Sequence, residues 1–201
     1  MRLISVVLAA CAALMATAAP SNASATERYL PSVQTNAPPK APFASFDRVE
    51  ISPVTLAAPW DKNKANVGAQ GKIQGYFTSR LAPWTLVLNA RPSKTEQPRT
   101  LLIEPNIEKI KFIGMGARIW VGAMAGSSQV LMKLKITDKQ TGEVIAEPEF
   151  YQRANAWGGA YSSGGTDSDM LSRITDLVAT YLSANLETAA GGPTGAEEVK
   201  R

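Results

Sequence analysis

The spacing of apolar side chains predicts an amphipathic helix in the first half of the chain. Apolar residues recur every four positions between residues 62 and 82, which places them on one face of a helix. Asp61 is a suitable N-cap, and Pro83 should end or kink the helix. Three glycines disfavour helix formation, so we expect close packing against a sheet to account for them. The apolar face is Ile73, Phe77 and Leu81, and the glycines are Gly68, Gly71 and Gly75.

Extended segments flank this helix. Residues 46–54 (FDRVEISPV) and 100–113 (TLLIEPNIEKIKFI) are rich in β-favouring side chains and predict two strands. Within the second, the apolar residues change from one alternation to the other between Ile107 and Ile110. Because a change of parity moves side chains to the opposite face of a sheet, we expect a bulge or break near Pro105–Lys109.

A β-hairpin is predicted in the second half of the chain. Apolar and polar residues alternate over 130–137, and the alternation resumes at Val144 after the polar turn DKQTG (138–142). Matching apolar to apolar positions places Ile136 opposite Val144 and Leu134 opposite Ala146. The same register places Lys133 opposite Glu147, a favourable pair of opposite charges.

A second helix begins after a glycine-rich stretch. Thr166 and Asp169 form a start that resembles a capping box. The helix has a broad apolar face: Met170, Leu171, Ile174, Leu177, Val178, Tyr181 and Leu182. The element order is therefore β-α-β-β-β-α, which predicts one α+β domain over residues 46–186, with a mostly antiparallel sheet and two helices packed on one face.

The segments outside this domain have no apolar periodicity, apart from the first residues of the chain. Residues 26–45 are proline-rich and predict a linker, and residues 187–201 predict a disordered tail. Residues 1–25 combine a positive start, an apolar run and a small-residue exit, the pattern of a secretory signal peptide cleaved after Ala25. A permanent membrane anchor is the alternative interpretation of this run.

Cys11 raises the question of a lipid anchor. Together with Leu8 it resembles a bacterial lipobox, in which the cysteine becomes the lipidated first residue. The apolar run continues past Cys11 to Ala19, which favours an ordinary cysteine within the signal. We therefore expect a periplasmic protein, with an outer-membrane lipoprotein as the alternative if Cys11 is lipidated.

Composition excludes several kinds of chemistry. The chain contains no histidine and a single cysteine, so catalysis by Ser–His–Asp or Cys–His groups and the usual zinc, copper and haem sites are excluded. Cleavage of the signal would leave 20 basic and 17 acidic side chains, since it removes one arginine from 21 basic residues. This small excess of positive charge does not predict a nucleic-acid partner. A basic strip of Lys109, Lys111, Lys133 and Lys135 has Glu147 and Glu149 beside it. No cofactor or metal is expected.

Two stretches resemble a known family. They are Gly116-Ala117-Arg118 through Gly122-Ala123-Met124-Ala125-Gly126, and the D-x-x-T-G-E-V-I-A segment at 138–146. With the strand between them they resemble a family of small exported bacterial proteins, many of them lipoproteins, described as a domain of unknown function. The layout is more distantly similar to the domain of the curli-secretion lipoprotein and the penicillin-binding-protein activators. The resemblance covers about residues 100–185 and implies export, an α+β sheet and no established catalytic residue.

The apolar tract at 114–128 is one candidate binding surface. Gly122 and Gly126 match the spacing of a transmembrane dimerisation motif, but Arg118 and the short apolar run argue against a membrane span. The glycines either allow close approach of backbone to the sheet, or the tract is a docking surface for a partner. In the second case the contact residues would be Ile119, Trp120 and Met124.

The loop at 155–166 is the second candidate. Trp157 and Tyr161 lie among glycines and serines, where their rings could stack on a sugar or on apolar groups of a partner. The alternative is that both rings fold back over the edge of the core.

Paired carboxylates are the remaining chemistry. Glu104 with Glu108, and Asp167 with Asp169, could in principle form a hydrolase pair. A solvated strand face and a helix N-terminus already account for them, so we predict no catalytic residue. The leading hypothesis is a non-enzymatic periplasmic protein that binds another envelope component, either a protein or a cell-wall component. The alternatives are a carboxylate-dependent cell-wall hydrolase and a lipid-anchored assembly protein.

Overall fold

The computed structural model describes residues 29–93, 96–113, 127–154 and 165–197. These ranges contain two helices, α1 (Lys64–Asn89) and α2 (Gly165–Ala184), and eight strands. The strands are β1 (Thr35–Asn36), β2 (Arg48–Ile51), β3 (Thr55–Leu56), β4 (Thr100–Lys111), β5 (Gln129–Asp138), β6 (Val144–Ala146), β7 (Glu149–Arg153) and β8 (Gly192–Pro193). Short 3₁₀ turns lie at Phe43–Ser45 and Trp60–Lys62.

Six strands form one mixed sheet. Its main order is β2-β4-β5-β6; β3 also pairs with β4, and β7 also pairs with β5. β2 and β3 run parallel to β4, whereas β5 is antiparallel to β4, β6 and β7. The predicted single α+β domain with a mostly antiparallel sheet and two helices is therefore confirmed.

One face of the sheet forms the core with both helices. β4 and β5 each contribute a row of fully buried apolar residues to this core, as Ile103 and Leu134 show. α1 contributes the predicted stripe, and α2 contributes the predicted broad face, of which only Leu177 is partly exposed. The two helices also contact each other, since Arg80 of α1 donates hydrogen bonds to Ser172 and Asp176 of α2.

The N-terminal cap and the end of α1 differ from the prediction. Asn63, not Asp61, caps the helix by accepting a hydrogen bond from the Ala65 N–H at 2.8 Å. The helix also continues through Pro83 to Asn89. An internal proline costs about 3 kcal/mol, but Leu88 extends the buried stripe one further heptad beyond Leu81. Tertiary packing therefore outweighs the proline.

The explanation expected for the three glycines of α1 is wrong. A Cβ atom at Gly68, Gly71 or Gly75 would meet nothing within 4 Å. These glycines lie on the exposed side of the helix and do not make room for the sheet.

The bulge prediction is confirmed, but the hairpin register is wrong by two residues. The pairing of β4 with β5 shifts between Ile107 and Lys109. In the hairpin, Ile136 lies opposite Ala146, not Val144, and Lys133 lies opposite Glu149, not Glu147. A second shift between Ile136 and Thr137 displaces the ladder, which matching of apolar positions alone could not detect.

Residues 26–45 and 187–201 were predicted to be a linker and a disordered tail. Where the structure describes them, they pair with each other and pack on the domain. β1 pairs antiparallel with β8. Phe43 belongs to the core and is 1% exposed. The buried Asn185 side chain accepts hydrogen bonds from the N–H groups of Ala190 and Gly191, both at 2.8 Å. Isolated buried side chains and glycines hold these segments, and such contacts leave no periodic pattern in a sequence. The predicted signal peptide and Cys11 lie outside the described residues.

Candidate functional site

An open cleft of about 560 Å³ lies where the start of α1 meets the end of β4. One wall is the 3₁₀ turn that leads into α1, and the other is the last part of β4 with the residue that follows it. The lining residues are Pro59, Trp60, Lys62, Asn63, Lys64, Asn66, Ile110, Lys111 and Phe112. Its volume lies within the range of about 300–1,000 Å³ that is usual for small-molecule sites.

Asn66 links the two walls. It lies in the first turn of α1 and is 3% exposed. Its Nδ2 donates to the Trp60 carbonyl at 3.2 Å, and its Oδ1 accepts from the Phe112 N–H at 3.1 Å. Because both ends of the amide are used, the separation of the Trp60 turn and the Phe112 backbone is fixed by one buried side chain.

Both walls present aromatic side chains. Trp60 and Phe112 are partly buried and pack against the core. The Trp60 ring also contacts Tyr29, with ring centroids 5.6 Å apart and an interplanar angle of 53°. The Lys72 ammonium lies 6.0 Å from the centroid of the Phe112 ring, at the outer limit of a cation–π contact. Each wall of the cleft therefore has one aromatic side chain that also makes a contact with a residue outside the lining.

Lysines dominate the polar groups at the rim. Lys62, Lys64 and Lys111 all line the cleft and are exposed. In the part of the chain that the structure describes, no carboxylate forms an ion pair with any of the three. Asp61 is exposed in the same 3₁₀ turn but does not line the cleft. Three cations and two aromatic faces suit an anionic ligand that also has an apolar side.

Asp138 and Glu197, two described carboxylates with shifted pKa values, do not line the cleft and accept hydrogen bonds from turn residues. Burial would raise the pKa of Asp138, but the Arg99 guanidinium and the N–H groups of Gln140 and Thr141 outweigh burial and lower it. Burial would likewise raise the pKa of Glu197, and hydrogen bonds from Thr194 and Gly195 lower it. A general acid at neutral pH needs a raised pKa, so neither group is suited to that role.

Two tyrosines, in contrast, have a raised pKa because they are buried. The pKa of Tyr181 rises to about 12, and that of Tyr151 also lies above its ordinary value. Tyr181 packs between Phe43 and Phe150 in the core, with ring centroids 6.2 and 5.7 Å away. Its hydroxyl donates to the Ala37 carbonyl at 3.3 Å. Tyr181 is thus a structural residue that fastens the N-terminal segment to α2.

Comparisons with known proteins give structural likenesses at low identity. No family model matches the chain. No curated protein matches it either. Among solved structures, the PelC dodecamer from Paraburkholderia phytofirmans is 12% identical with a TM-score of 0.34, over 71% of this chain and 91% of that chain. A hypothetical protein from Chlamydia trachomatis is 13% identical with a TM-score of 0.38, over 70% and 99%. A minor lipoprotein from Acinetobacter baumannii is 12% identical with a TM-score of 0.30, over 73% and 99%.

The binding residues predicted from the sequence lie outside the described residues. They are Trp157 and Tyr161 of the glycine-rich loop, and Ile119, Trp120 and Met124 of the apolar tract. Their roles stay predictions. Of the predicted acid pairs, Glu104 lies opposite Lys135 between β4 and β5, and Asp167 is buried at the start of α2.

The cleft itself was not predicted. Trp60 and Phe112, one from each half, are 52 residues apart in the chain, and each half alone is an ordinary turn or strand end. The available signal was a lysine within two residues of an aromatic residue in both halves: Trp60 with Lys62, and Lys111 with Phe112. The parallel β3–β4 pairing and the hydrogen bonds of Asn66 bring the two together.

The described residues contain neither a cluster of metal-ligating side chains nor a membrane-spanning helix. Across residues 29–93, 96–113, 127–154 and 165–197, no three acidic side chains converge as a metal site would require. In the same ranges, neither helix combines the length and the apolar character needed to cross a bilayer.

Proposed function

We propose that the protein is an exported, non-enzymatic component of the bacterial envelope that binds an anionic partner in the Trp60–Phe112 cleft. One observation carries this proposal: Lys62, Lys64 and Lys111 line an open cleft, and none of the described residues that line it with them is acidic. The predicted signal peptide supports the export part of the proposal.

The cleft is arranged for binding by charge. Exposed ammonium groups attract anions over about 8–10 Å at physiological salt, which speeds their encounter with the site. The aromatic walls then add apolar contact that simple counter-ions do not make. Since the walls are fixed by Asn66, little ordering is needed when a ligand enters.

A hydrolase receives no support from the described carboxylates. None of the described residues that line the cleft is acidic, and Asp138 and Glu197 have lowered pKa values. A role in binding accounts for the lysines, whereas a glycosidase would need two carboxylates across the same cleft.

Binding of purified envelope components tests the proposal. The probes are lipopolysaccharide, peptidoglycan and phosphatidylglycerol vesicles, titrated at low and moderate salt. The variant Lys62→Gln/Lys64→Gln/Lys111→Gln should lose at least about tenfold in affinity for whichever probe binds, a loss of roughly 1.4 kcal/mol. Absence of binding to all three anionic probes would overturn the proposal.

A control with the same change in charge separates local from general electrostatics. Lys40, Lys135 and Lys139 are exposed, and Lys135 and Lys139 lie at the other end of the β4–β5 pair. The variant Lys40→Gln/Lys135→Gln/Lys139→Gln should bind like the unaltered protein within about twofold. An equal loss in both variants would mean that net charge, and not the cleft, attracts the probe.

Intact mass tests export and anchoring together. A secreted chain that begins at Thr26 supports a free periplasmic protein, whereas a chain that begins at an acylated Cys11 supports the lipoprotein alternative. Retention of the full-length mass after expression with its own signal would contradict export.

A further inference from the structure

We infer that the ligand of the cleft is an acidic polysaccharide, bound through its sugar rings as well as its charges. This inference rests on the proposed function and adds the chemical class of the ligand. It is motivated by the pairing of aromatic walls with a row of lysines, two features that an acidic sugar chain can engage together.

The aromatic side chains argue against a small inorganic anion. Phosphate or sulfate is held by charge and by N–H groups and gains nothing from a ring face. Trp60 and Phe112, in contrast, supply faces on which the apolar side of a pyranose ring can stack. Both side chains pack against the core and remain partly exposed beside the lysines, where a sugar ring can stack on them.

The type of cation fits carboxylates at variable positions. Among the described residues that line the cleft, the cations are lysines. A lysine ammonium is a point charge on a flexible stem, whereas an arginine reads one planar anion with a fixed fork. Lys62, Lys64 and Lys111 can therefore follow carboxylates that differ in position along a sugar chain.

The charges extend beyond the cleft in a way that fits a polymer. Lys72 is not one of the lining residues; its ammonium lies 6.0 Å from the centroid of the Phe112 ring and donates a hydrogen bond to the Ser168 hydroxyl at 3.4 Å. Lys64 and Lys72 are eight residues apart on the same helix, or about 12 Å along its axis. A monosaccharide would not reach both, whereas successive sugar residues would.

A panel of probes tests the inference. Oligogalacturonate, galacturonic acid, a neutral dextran oligomer of matched length, inorganic phosphate and phosphatidylglycerol vesicles are titrated against the purified protein. We expect oligogalacturonate to bind at least about tenfold more tightly than the monomer or phosphate, because ring stacking and several charges act together. The neutral dextran should bind more weakly still.

Two variants separate ring contacts from charge. Phe112→Leu keeps an apolar side chain of similar size but removes the aromatic face, and we expect it to weaken oligogalacturonate binding at least about threefold while leaving phosphate binding unchanged. Lys111→Gln should weaken both. Far-ultraviolet circular dichroism confirms that each variant is folded before titration.

The outcomes distinguish this inference from the proposed function. If vesicles or phosphate bind as tightly as oligogalacturonate, or if Phe112→Leu has no selective effect, the polysaccharide inference is overturned and the anion-binding function stands. If no anionic probe binds, both are overturned.

Discussion

The side-chain amide of Asn89 pairs with both backbone polar groups of Val49. Its Oδ1 accepts from the Val49 N–H at 2.8 Å, and its Nδ2 donates to the Val49 carbonyl at 3.0 Å. Val49 lies in β2, an edge strand of the sheet. Two more side-chain amides of α1 bind the backbone of Val54: Gln74 accepts from its N–H at 2.7 Å, and Gln70 donates to its carbonyl at 2.8 Å. Side-chain amides of α1 thus make the hydrogen bonds that a neighbouring strand would make. They thereby protect the sheet edge from pairing with another chain.

Removing this amide should destabilise the protein and expose the edge. Asn89→Ala leaves the Val49 N–H and carbonyl without their partners, so we expect the free energy of unfolding to fall by about 1–3 kcal/mol. We also expect weak self-association through β2, visible as concentration-dependent sedimentation. Asn106→Ala is the control, since Asn106 makes one exposed side-chain bond to Thr55. A monomer of unchanged stability would show that the edge needs no such protection.

The exposed glycines of α1 offer a stabilising change. No atom lies within 4 Å of a Cβ built at Gly71. Gly71→Ala should therefore raise the free energy of unfolding by about 0.5–1 kcal/mol, because alanine loses less backbone entropy in a helix. Urea denaturation measures this directly. A loss of stability would indicate a packing role for Gly71.

A glycine-to-alanine substitution in the C-terminal segment should instead destabilise the protein. Gly195 has a φ of +85°, and a Cβ there would lie in contact with the Tyr151 carbonyl oxygen and the Leu177 side chain. Gly195→Ala should lower the free energy of unfolding by roughly 2–4 kcal/mol through backbone strain and overpacking. It should also make residues 190–197 more sensitive to proteolysis. Unchanged stability would mean that this segment is not docked on β7.

Features that follow from periodic burial could be predicted from the sequence, whereas contacts made by single residues could not. Helix faces, strands and the β4 bulge follow from periodic burial, and Ile73, Phe77 and Leu81 are buried as their spacing predicts. Contacts that depend on one residue leave no such period: Asn89 at the sheet edge, Asn185 in the C-terminal segment, and Asn66 in the cleft. The candidate site belongs to the second kind, because it depends on two distant segments meeting through one buried amide.

Asp138 should make stability depend on pH in the acid range. Its side chain is fully buried, and it accepts hydrogen bonds from Arg99 at 2.7 and 2.9 Å. The pKa of Asp138 lies below the ordinary value of 3.8. Its stabilising contribution is therefore complete above pH 3.8 and is lost as pH falls through the lower pKa of the folded state.

Replacing this carboxylate tests the assignment. Asp138→Asn should lower the free energy of unfolding at pH 7 by about 1–3 kcal/mol, since Arg99 and the turn N–H groups lose a charged acceptor. It should also flatten the decline of stability below pH 4. Glu197 has a lowered pKa too, so part of the decline should persist. A decline of unchanged steepness in Asp138→Asn would contradict the assignment.

Asn66 should affect binding through position and not through charge. Asn66→Ala leaves the Phe112 N–H and the Trp60 carbonyl without their shared partner, so we expect the free energy of unfolding to fall by about 2–4 kcal/mol. At a temperature where the variant is folded, affinity for the anionic probe should fall several-fold, because the walls no longer have a fixed separation. All three lysines remain, so the salt dependence of binding should keep its slope. In Lys62→Gln/Lys64→Gln/Lys111→Gln the pattern should be reversed, with stability retained and the slope reduced. Full affinity in folded Asn66→Ala would show that the cleft does not depend on this amide.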